Sequence, residues 1–152
     1  MSHRAPWECS FAKEQRSRCL PGKTPRTDHE YFEILSLCIL QAGLGWASVR
    51  RSWPRYRSAF LNFEIAKLAH ATPSALLRRP GALRNSKKVA ALVANAQEFE
   101  RIRAEHRTFA RYLRSVGSQD DACTILQERF RHVGSYTAEF YLHCVGRSVY
   151  GP

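Results

Sequence analysis

The 152-residue chain lacks several features that would place it in other classes of protein. No stretch stays apolar for about 18 residues, the length that predicts a membrane-spanning helix. The opening residues MSHRAPW contain no apolar run and predict no secretory signal. No internal repeat, low-complexity segment or polar–apolar alternation typical of strands is present. We therefore expect a cytoplasmic, all-α protein without a membrane partner.

The five cysteines do not form the pattern of a disulfide framework. Their number is odd, and no two of them form a CxxC pair. This usage is typical of reduced thiols in a cytoplasmic protein. The cysteines are Cys9, Cys19, Cys38, Cys123 and Cys144.

Acidic residues are scarce. Only 13 Asp and Glu stand against 24 Lys and Arg, so the formal net charge is +11. The basic residues are spread along the chain rather than gathered in a tail, and arginine, which suits bidentate contact with phosphate, dominates. This excess favours binding of a nucleic acid through its phosphates. A basic protein without such a partner is the alternative.

The length predicts a single domain, residues 1–152, with an irregular segment at 1–27 and a helical core at 28–146. Asp28 is a plausible N-cap for a mostly apolar helix that ends at Gly43 and Gly45. A second helix is predicted at 46–60, with a kink or break before Pro54. Apolar spacing and caps predict further helices at 63–69, 72–77, 87–103, 108–116, 120–130 and 137–145.

The turn between the last two predicted helices has the sequence RFRHVGSYTA at residues 129–138. We expect Gly134 to adopt a positive φ there, and Ser135 or Thr137 to cap the second helix. The N–H groups of such a turn point outward together and can bind a phosphate, helped by Arg129, Arg131 and His132. The element resembles the helix-hairpin-helix of DNA base-excision glycosylases. An ordinary αα-hairpin is the alternative.

Two longer stretches resemble one family more specifically. Residues 32–46 read FEILSLCILQAGLGW and are followed by YRSAFLNF at 56–63, and residues 83–96 read LRNSKKVAALVANA. Both resemble motifs of the bacterial type I 3-methyladenine DNA glycosylases. RTFARYL at 107–113 and FRHVGSYT at 130–137 resemble later motifs of that family in the same order. The resemblance extends from Asp28 to about Gly146.

The resemblance implies a helix-hairpin-helix bundle that acts as a monomer on double-stranded DNA, associated with the nucleoid, without a cofactor. The reaction implied is hydrolysis of the N-glycosidic bond of an alkylated purine after base flipping. Trp46 would stack on the extruded base, and Gln41 and Cys38 would line the same pocket. The DNA backbone would be held by Arg84, Lys87, Val133, Gly134, Ser135 and Thr137.

Each of these assignments has a structural alternative. Trp46 could be a core tryptophan, and Gln41 could satisfy backbone groups at a helix end. Arg84, Lys87 and Lys88 lie near a helix start, which suits phosphate contact, but they could equally form a solvated face. No catalytic carboxylate is assigned, because no Asp or Glu follows Glu139 and the family does without the aspartate used by other such glycosylases.

The chain departs from the family at three points. The family has a base-reading glutamate where this chain has Cys38, and a thiol is only a weak donor and acceptor. No tyrosine precedes Tyr31 to match the family's N-terminal tyrosine; Arg16 and its neighbours occupy that region. The C-terminal zinc-ligand pair is also missing, and His143 and Cys144 are adjacent on a helix, so we expect no metal.

These departures leave two functions open besides the enzyme. One is a catalytically degenerate helix-hairpin-helix protein that binds DNA without glycosylase activity. The other is a basic interaction module that uses only the fold.

Overall fold

The computed structural model describes residues 5–9 and 20–147. The described part is helical and contains no strand, which confirms the all-α prediction. No helix in it is both long and apolar enough to cross a membrane. The helices are α1 (Asp28–Gln41), α2 (Trp46–Ala59), α3 (Ile65–Ala69), α4 (Pro73–Leu77), α5 (Ser86–His106), α6 (Phe109–Ser115), α7 (Gln119–Arg129) and α8 (Ser135–Cys144). Short 3-10 turns occur at Pro6–Glu8 and Leu61–Phe63.

Helix α1 lies at the centre of the core and packs against α2, α5 and α8. Its N-cap is Thr27, whose hydroxyl accepts the N–H of Glu30, so the prediction that Asp28 caps this helix is wrong. The Asp28 carboxylate turns instead to α6, where it accepts the Phe109 N–H at 3.0 Å, and to α5, where it pairs with Arg103 at 3.1 Å. One acidic side chain therefore joins three helices.

Helix α2 runs without a break from Trp46 to Ala59, although Pro54 lies inside it. Of the kink or break expected before Pro54, the break is therefore absent. Pro54 and Arg50, four residues earlier, are both exposed. The carbonyl that loses its helical partner at a proline consequently lies on the solvent side, where water can satisfy it.

Helix α5 is the longest and packs against α1, α3, α4 and α6. Asn85 is its N-cap and accepts the N–H of Lys88 at 3.1 Å. On the buried face, the Phe99 ring stacks on Phe109 of α6 at 4.3 Å and meets Phe32 of α1 edge-on at 5.3 Å. This aromatic cluster joins α5 to both neighbours.

The segment before α1 crosses the end of α8. The Gly22 N–H donates to the carbonyl of His143 at 2.8 Å, and Gly22 is buried. The backbones approach so closely that a Cβ on Gly22 would lie 2.0 Å from the carbonyl oxygen of Cys144. The predicted irregular segment 1–27 therefore includes a tightly docked stretch. Arg16 and Cys19, which the sequence analysis named, lie outside the described residues.

Candidate functional site

The QAGLGW sequence forms a tight turn between α1 and α2. Gly43 and Gly45 both have φ of 83°, a conformation that favours glycine. The carbonyl of Gln41 accepts two N–H groups from the turn, that of Leu44 at 2.8 Å and that of Gly45 at 3.0 Å. Trp46 is the first residue of α2, directly after this turn. The position of the tryptophan therefore depends on the last turn of α1, from which the turn starts.

The Trp46 ring is half-buried and contacts α8. Its centroid lies 5.5 Å from that of Phe140, and Phe140 stacks with Tyr136 at 6.2 Å and 12°. Tyr136 is exposed at the start of α8. The three rings form an aromatic row from the turn after α1 to the hairpin. Sequence reasoning missed Phe140 and Tyr136, although their i, i+4 spacing was a signal that they share a helix face.

Lys88 holds the same turn from the side of α5. Only 6% of the residue is exposed, and its ammonium donates to the carbonyl of Leu40 at 3.0 Å and to that of Ala42. Burial lowers the pKa of Lys88 below its ordinary value. The sequence-based grouping of Lys88 with Arg84 and Lys87 as outward-facing cations is therefore wrong for Lys88. Its spacing of four from buried Leu92 was a signal that it faces inward.

The three residues predicted to bind a base lie near one another along the chain but differ in exposure. Gln41 and Trp46 are half-buried and flank the turn, whereas Cys38 is fully buried in the core. Burial, followed by Tyr31 and then Cys38, raises the pKa of Tyr141 of α8 well above its ordinary value. The base-binding role of all three stays a prediction.

A separate cavity of about 530 Å³ lies elsewhere, between the N-terminal segment and helices α1 and α2. Trp7, Glu33, Trp53 and Arg57 help to line it, and none of the three predicted base-binding residues does. The Glu33 carboxylate accepts the Trp53 indole N–H at 3.1 Å and pairs with Arg57 at 3.0 Å.

The hairpin connects α7 to α8, and its backbone corrects the predicted turn. Gly134 has φ −88° and ψ −177°, an extended conformation, and the left-handed residue is His132, with φ 60°. Gly134 is also the N-cap of α8, with no side-chain cap, so Ser135 and Thr137 do not cap the helix. A helix start without a side-chain cap is a common place for an anion to bind.

Gly134 faces open space. It is exposed, and a Cβ built on it would meet no atom within 4 Å. Ser135 is exposed beside it, Thr137 is half-buried, and Val133 is buried at 7% exposure. Val133 therefore packs the hairpin onto the core, and Gly134 and Ser135 form its outer surface.

Two side chains of helix α5 bind the hairpin. The Asn95 side chain donates to the carbonyl of Arg131 at 3.2 Å and accepts the Arg131 N–H at 2.8 Å. One turn later, Glu98 pairs with Arg129 at 2.7 Å, and the Arg129 guanidinium lies 5.0 Å from the centroid of the Tyr112 ring. Arg129 is thus directed toward Glu98 and Tyr112, so the expectation that it adds to the positive potential outside the hairpin is wrong.

The other predicted phosphate-binding cations are exposed. Arg84 lies just before α5 and Lys87 in its first turn, while Arg131 and His132 flank Gly134. Neither Asn95 nor Glu98 was assigned a role from the sequence, although Asn95 stands in one of the matched motifs. Within residues 5–9 and 20–147, no group of three or more His, Cys, Asp or Glu residues is placed to hold a metal ion.

Comparison with known proteins supports the same family as the sequence motifs. The family model described as methyladenine glycosylase matches residues 22–143. A DNA-3-methyladenine glycosylase of Haemophilus influenzae is 33% identical over 81 residues, which is 51% of this chain and 44% of that protein. The chain thus spans less than half the length of this relative.

Solved structures share the fold. A variant of 3-methyladenine DNA glycosylase I from Staphylococcus aureus superposes with a TM-score of 0.72 at 22% identity, covering 91% of this chain and 90% of that one. A variant of 3-methyladenine DNA glycosylase I in complex with 3-methyladenine gives a TM-score of 0.73 at 23% identity, with the same coverage. Since the family match covers both the Trp46 turn and the hairpin to His143, the chain belongs to the methyladenine glycosylase family.

Proposed function

We propose that the protein is a DNA glycosylase that hydrolyses the N-glycosidic bond of an alkylated purine, such as 3-methyladenine, in double-stranded DNA. The observation that carries this proposal is the family match over residues 22–143, which includes both the hairpin and the tryptophan turn. The protein acts as a monomer at the nucleoid in the cytoplasm, and it uses no cofactor.

Phosphate binding is the task of the hairpin. Its open Gly134, the N–H groups at the start of α8 and the exposed Arg131 and His132 suit a phosphate of the DNA backbone. Arg84 and Lys87 provide a second group of exposed cations. The net charge of +11 supports the same partner.

Base recognition is the task of the turn. A half-buried Trp46 ring provides a face on which an extruded base can stack, and Gln41 provides amide donor and acceptor groups. Cys38 provides only a weak hydrogen-bond donor and acceptor. A cationic N3-alkylated adenine is already a good leaving group, so positioning the base in a site with restricted water can supply much of the rate enhancement.

Salt dependence tests the DNA contact. The dissociation constant for duplex DNA should rise steeply with salt, because each neutralised phosphate releases counterions. Replacing Arg84 and Lys87 together by methionine should lower the slope of log K against log salt by about two. A slope near zero for the wild type would contradict the proposal.

Base release tests the enzyme. The wild type should free 3-methyladenine from methylated duplex DNA, detected by mass. Trp46→Ala should abolish release while non-specific affinity stays nearly unchanged, since the phosphates supply that affinity. Trp46→Phe, which keeps a ring, is the matched control and should retain part of the release.

A second function rests on Cys38. Its side chain is fully buried, and a thiol is only a weak donor and acceptor, so it is a poor substitute for the carboxylate that the family places there. This favours a DNA-binding protein without glycosylase activity as the alternative. Tight DNA binding without release of any alkylated base would support it. In that case Cys38→Glu should restore release if the pocket can hold a carboxylate.

A further inference from the structure

We infer that Lys88 is a positioning residue for base recognition: its buried ammonium fixes the end of α1, and through it the turn that orients Trp46. This inference rests on the proposed function of Trp46 as the residue that stacks on the base. Lys88 itself touches no base and is not a catalytic residue.

The ammonium of Lys88 is buried at the end of α1. An ammonium at 6% exposure is costly, because it loses most of its hydration. It donates to the carbonyls of Leu40 and Ala42, on either side of Gln41. The Leu40 carbonyl belongs to the last turn of α1 and the Ala42 carbonyl to its C-cap, at the negative end of the helix dipole, which favours a cation. The lysine thus acts as a C-cap supplied by another helix.

Backbone hydrogen bonds of the turn connect the end of α1 to Trp46. The carbonyl of Gln41, between the two that Lys88 holds, accepts the N–H groups of Leu44 and Gly45 at 2.8 and 3.0 Å. Two glycines at φ 83° make this turn easy to deform, because glycine reaches many other conformations without strain. A fixed anchor at its first residue therefore matters for where Trp46 lies. Phe140 of α8 limits the ring from the other side, at 5.5 Å.

Lys87, the neighbour of Lys88 in the chain, is oriented differently. Lys87 is exposed in the same first turn of α5 and is one of the cations proposed to hold DNA phosphate. Two adjacent lysines thus have different tasks: Lys87 faces the solvent, and Lys88 holds the tryptophan turn. We therefore expect substitution of Lys88 to change mainly kcat and substitution of Lys87 to change mainly KM.

The test begins with Lys88→Met, which keeps most of the aliphatic stem and removes the ammonium. Release of 3-methyladenine should slow about tenfold to a hundredfold in kcat, the loss typical of a reacting group displaced by about 1 Å. KM for DNA should change little. Lys87→Met should show the opposite split, a raised KM with kcat nearly kept. Lys67→Met, on an exposed lysine of α3 paired with Glu64 at 2.8 Å, is the charge-matched control and should leave both constants unchanged.

A readout independent of activity comes from 19F NMR of protein labelled with 5-fluorotryptophan. The chain has three tryptophans, so three resonances are expected, and Trp46→Phe identifies that of Trp46. Lys88→Met should shift or broaden the Trp46 resonance and leave those of Trp7 and Trp53 in place. Lys88→Gln, which keeps a neutral donor, should lie between wild type and Lys88→Met, and it serves if Lys88→Met fails to fold.

The outcomes separate the inference from the proposed function. Wild type that releases no base would contradict the proposed function, and the NMR result would still decide whether Lys88 orients Trp46. An active wild type combined with Lys88 variants of unchanged kcat and an unmoved Trp46 resonance would overturn the inference. Equal shifts of all three resonances would also overturn it, because they would show a general structural role.

Discussion

Replacing Gly22 should destabilise the protein strongly, although this glycine has no unusual φ. A Cβ at this position would lie 2.0 Å from the Cys144 carbonyl oxygen and 2.8 Å from its carbonyl carbon. Both atoms are backbone, so no side chain can rotate away. The segment must move off the end of α8, and the hydrogen bond from Gly22 N–H to His143, now 2.8 Å, is strained or lost.

The expected loss of unfolding free energy is the sum of two effects. Overpacking of a tight site costs about 1–3 kcal/mol. Loss of a buried hydrogen bond adds about 0.5–1.5 kcal/mol. We therefore expect Gly22→Ser to lower the free energy of unfolding by about 2–4 kcal/mol. For a domain of this size, that lowers Tm by on the order of 10 °C.

The matched control is the same substitution at Gly134. A Cβ there would meet nothing within 4 Å, and serine is a favourable N-cap for α8. Gly134→Ser should therefore unfold at the wild-type temperature or slightly above it. Calorimetry or circular dichroism measures both variants. If Gly22→Ser melts with the wild type, the close approach of residues 20–24 to α8 does not contribute to stability, and the reasoning fails.

Two further predictions concern buried polar side chains. Asn95→Ala should cost about 1–3 kcal/mol of stability and weaken DNA binding, since the hairpin loses both hydrogen bonds between Asn95 and Arg131. The slope of the salt dependence of binding should stay the same, because no cation is removed. An unchanged affinity for DNA would argue against a role of Asn95 in holding the hairpin. Burial, followed by the charge of Tyr31, holds the pKa of Tyr141 well above its ordinary value of 10.0, so folding favours the neutral phenol. This contribution is fully present below about pH 10 and is lost as the pH rises through the pKa of the folded state. Urea unfolding between pH 8 and 11 should therefore show a decline above pH 10 that is smaller in Tyr141→Phe; an equal decline in both proteins would contradict it.

The sequence by itself determined the helices and the family. Apolar spacing along α1 and α5, and capping residues such as Thr72, Asn85 and Thr108, place the elements to within a few residues, because these signals are local to each helix. The order of the motifs identified the family, because those residues recur in a fixed order without any knowledge of their contacts.

The conformations of single residues could not be predicted without the tertiary structure. The hairpin was predicted to use the positive φ of Gly134, yet His132 adopts it, because Asn95 of a distant helix holds the backbone of Arg131. Asp28 was expected to cap its own helix, but its carboxylate accepts the N–H of Phe109, the first residue of α6, eighty-one positions later in the chain. In both places a long-range hydrogen bond accompanies the conformation that the local sequence did not predict.

The direction of each charge was likewise decided only by packing. Lys87 and Lys88 are identical side chains in one turn, and Arg129 and Arg131 flank the same phenylalanine. Yet Lys88 enters the core to hold the end of α1, and Arg129 turns inward to Glu98, while their neighbours face the solvent. Net charge and composition count all four cations alike. Which of them can meet DNA depends on the partners that the fold brings to each one, since a buried cation is tolerated only where backbone carbonyls or a carboxylate replace its water.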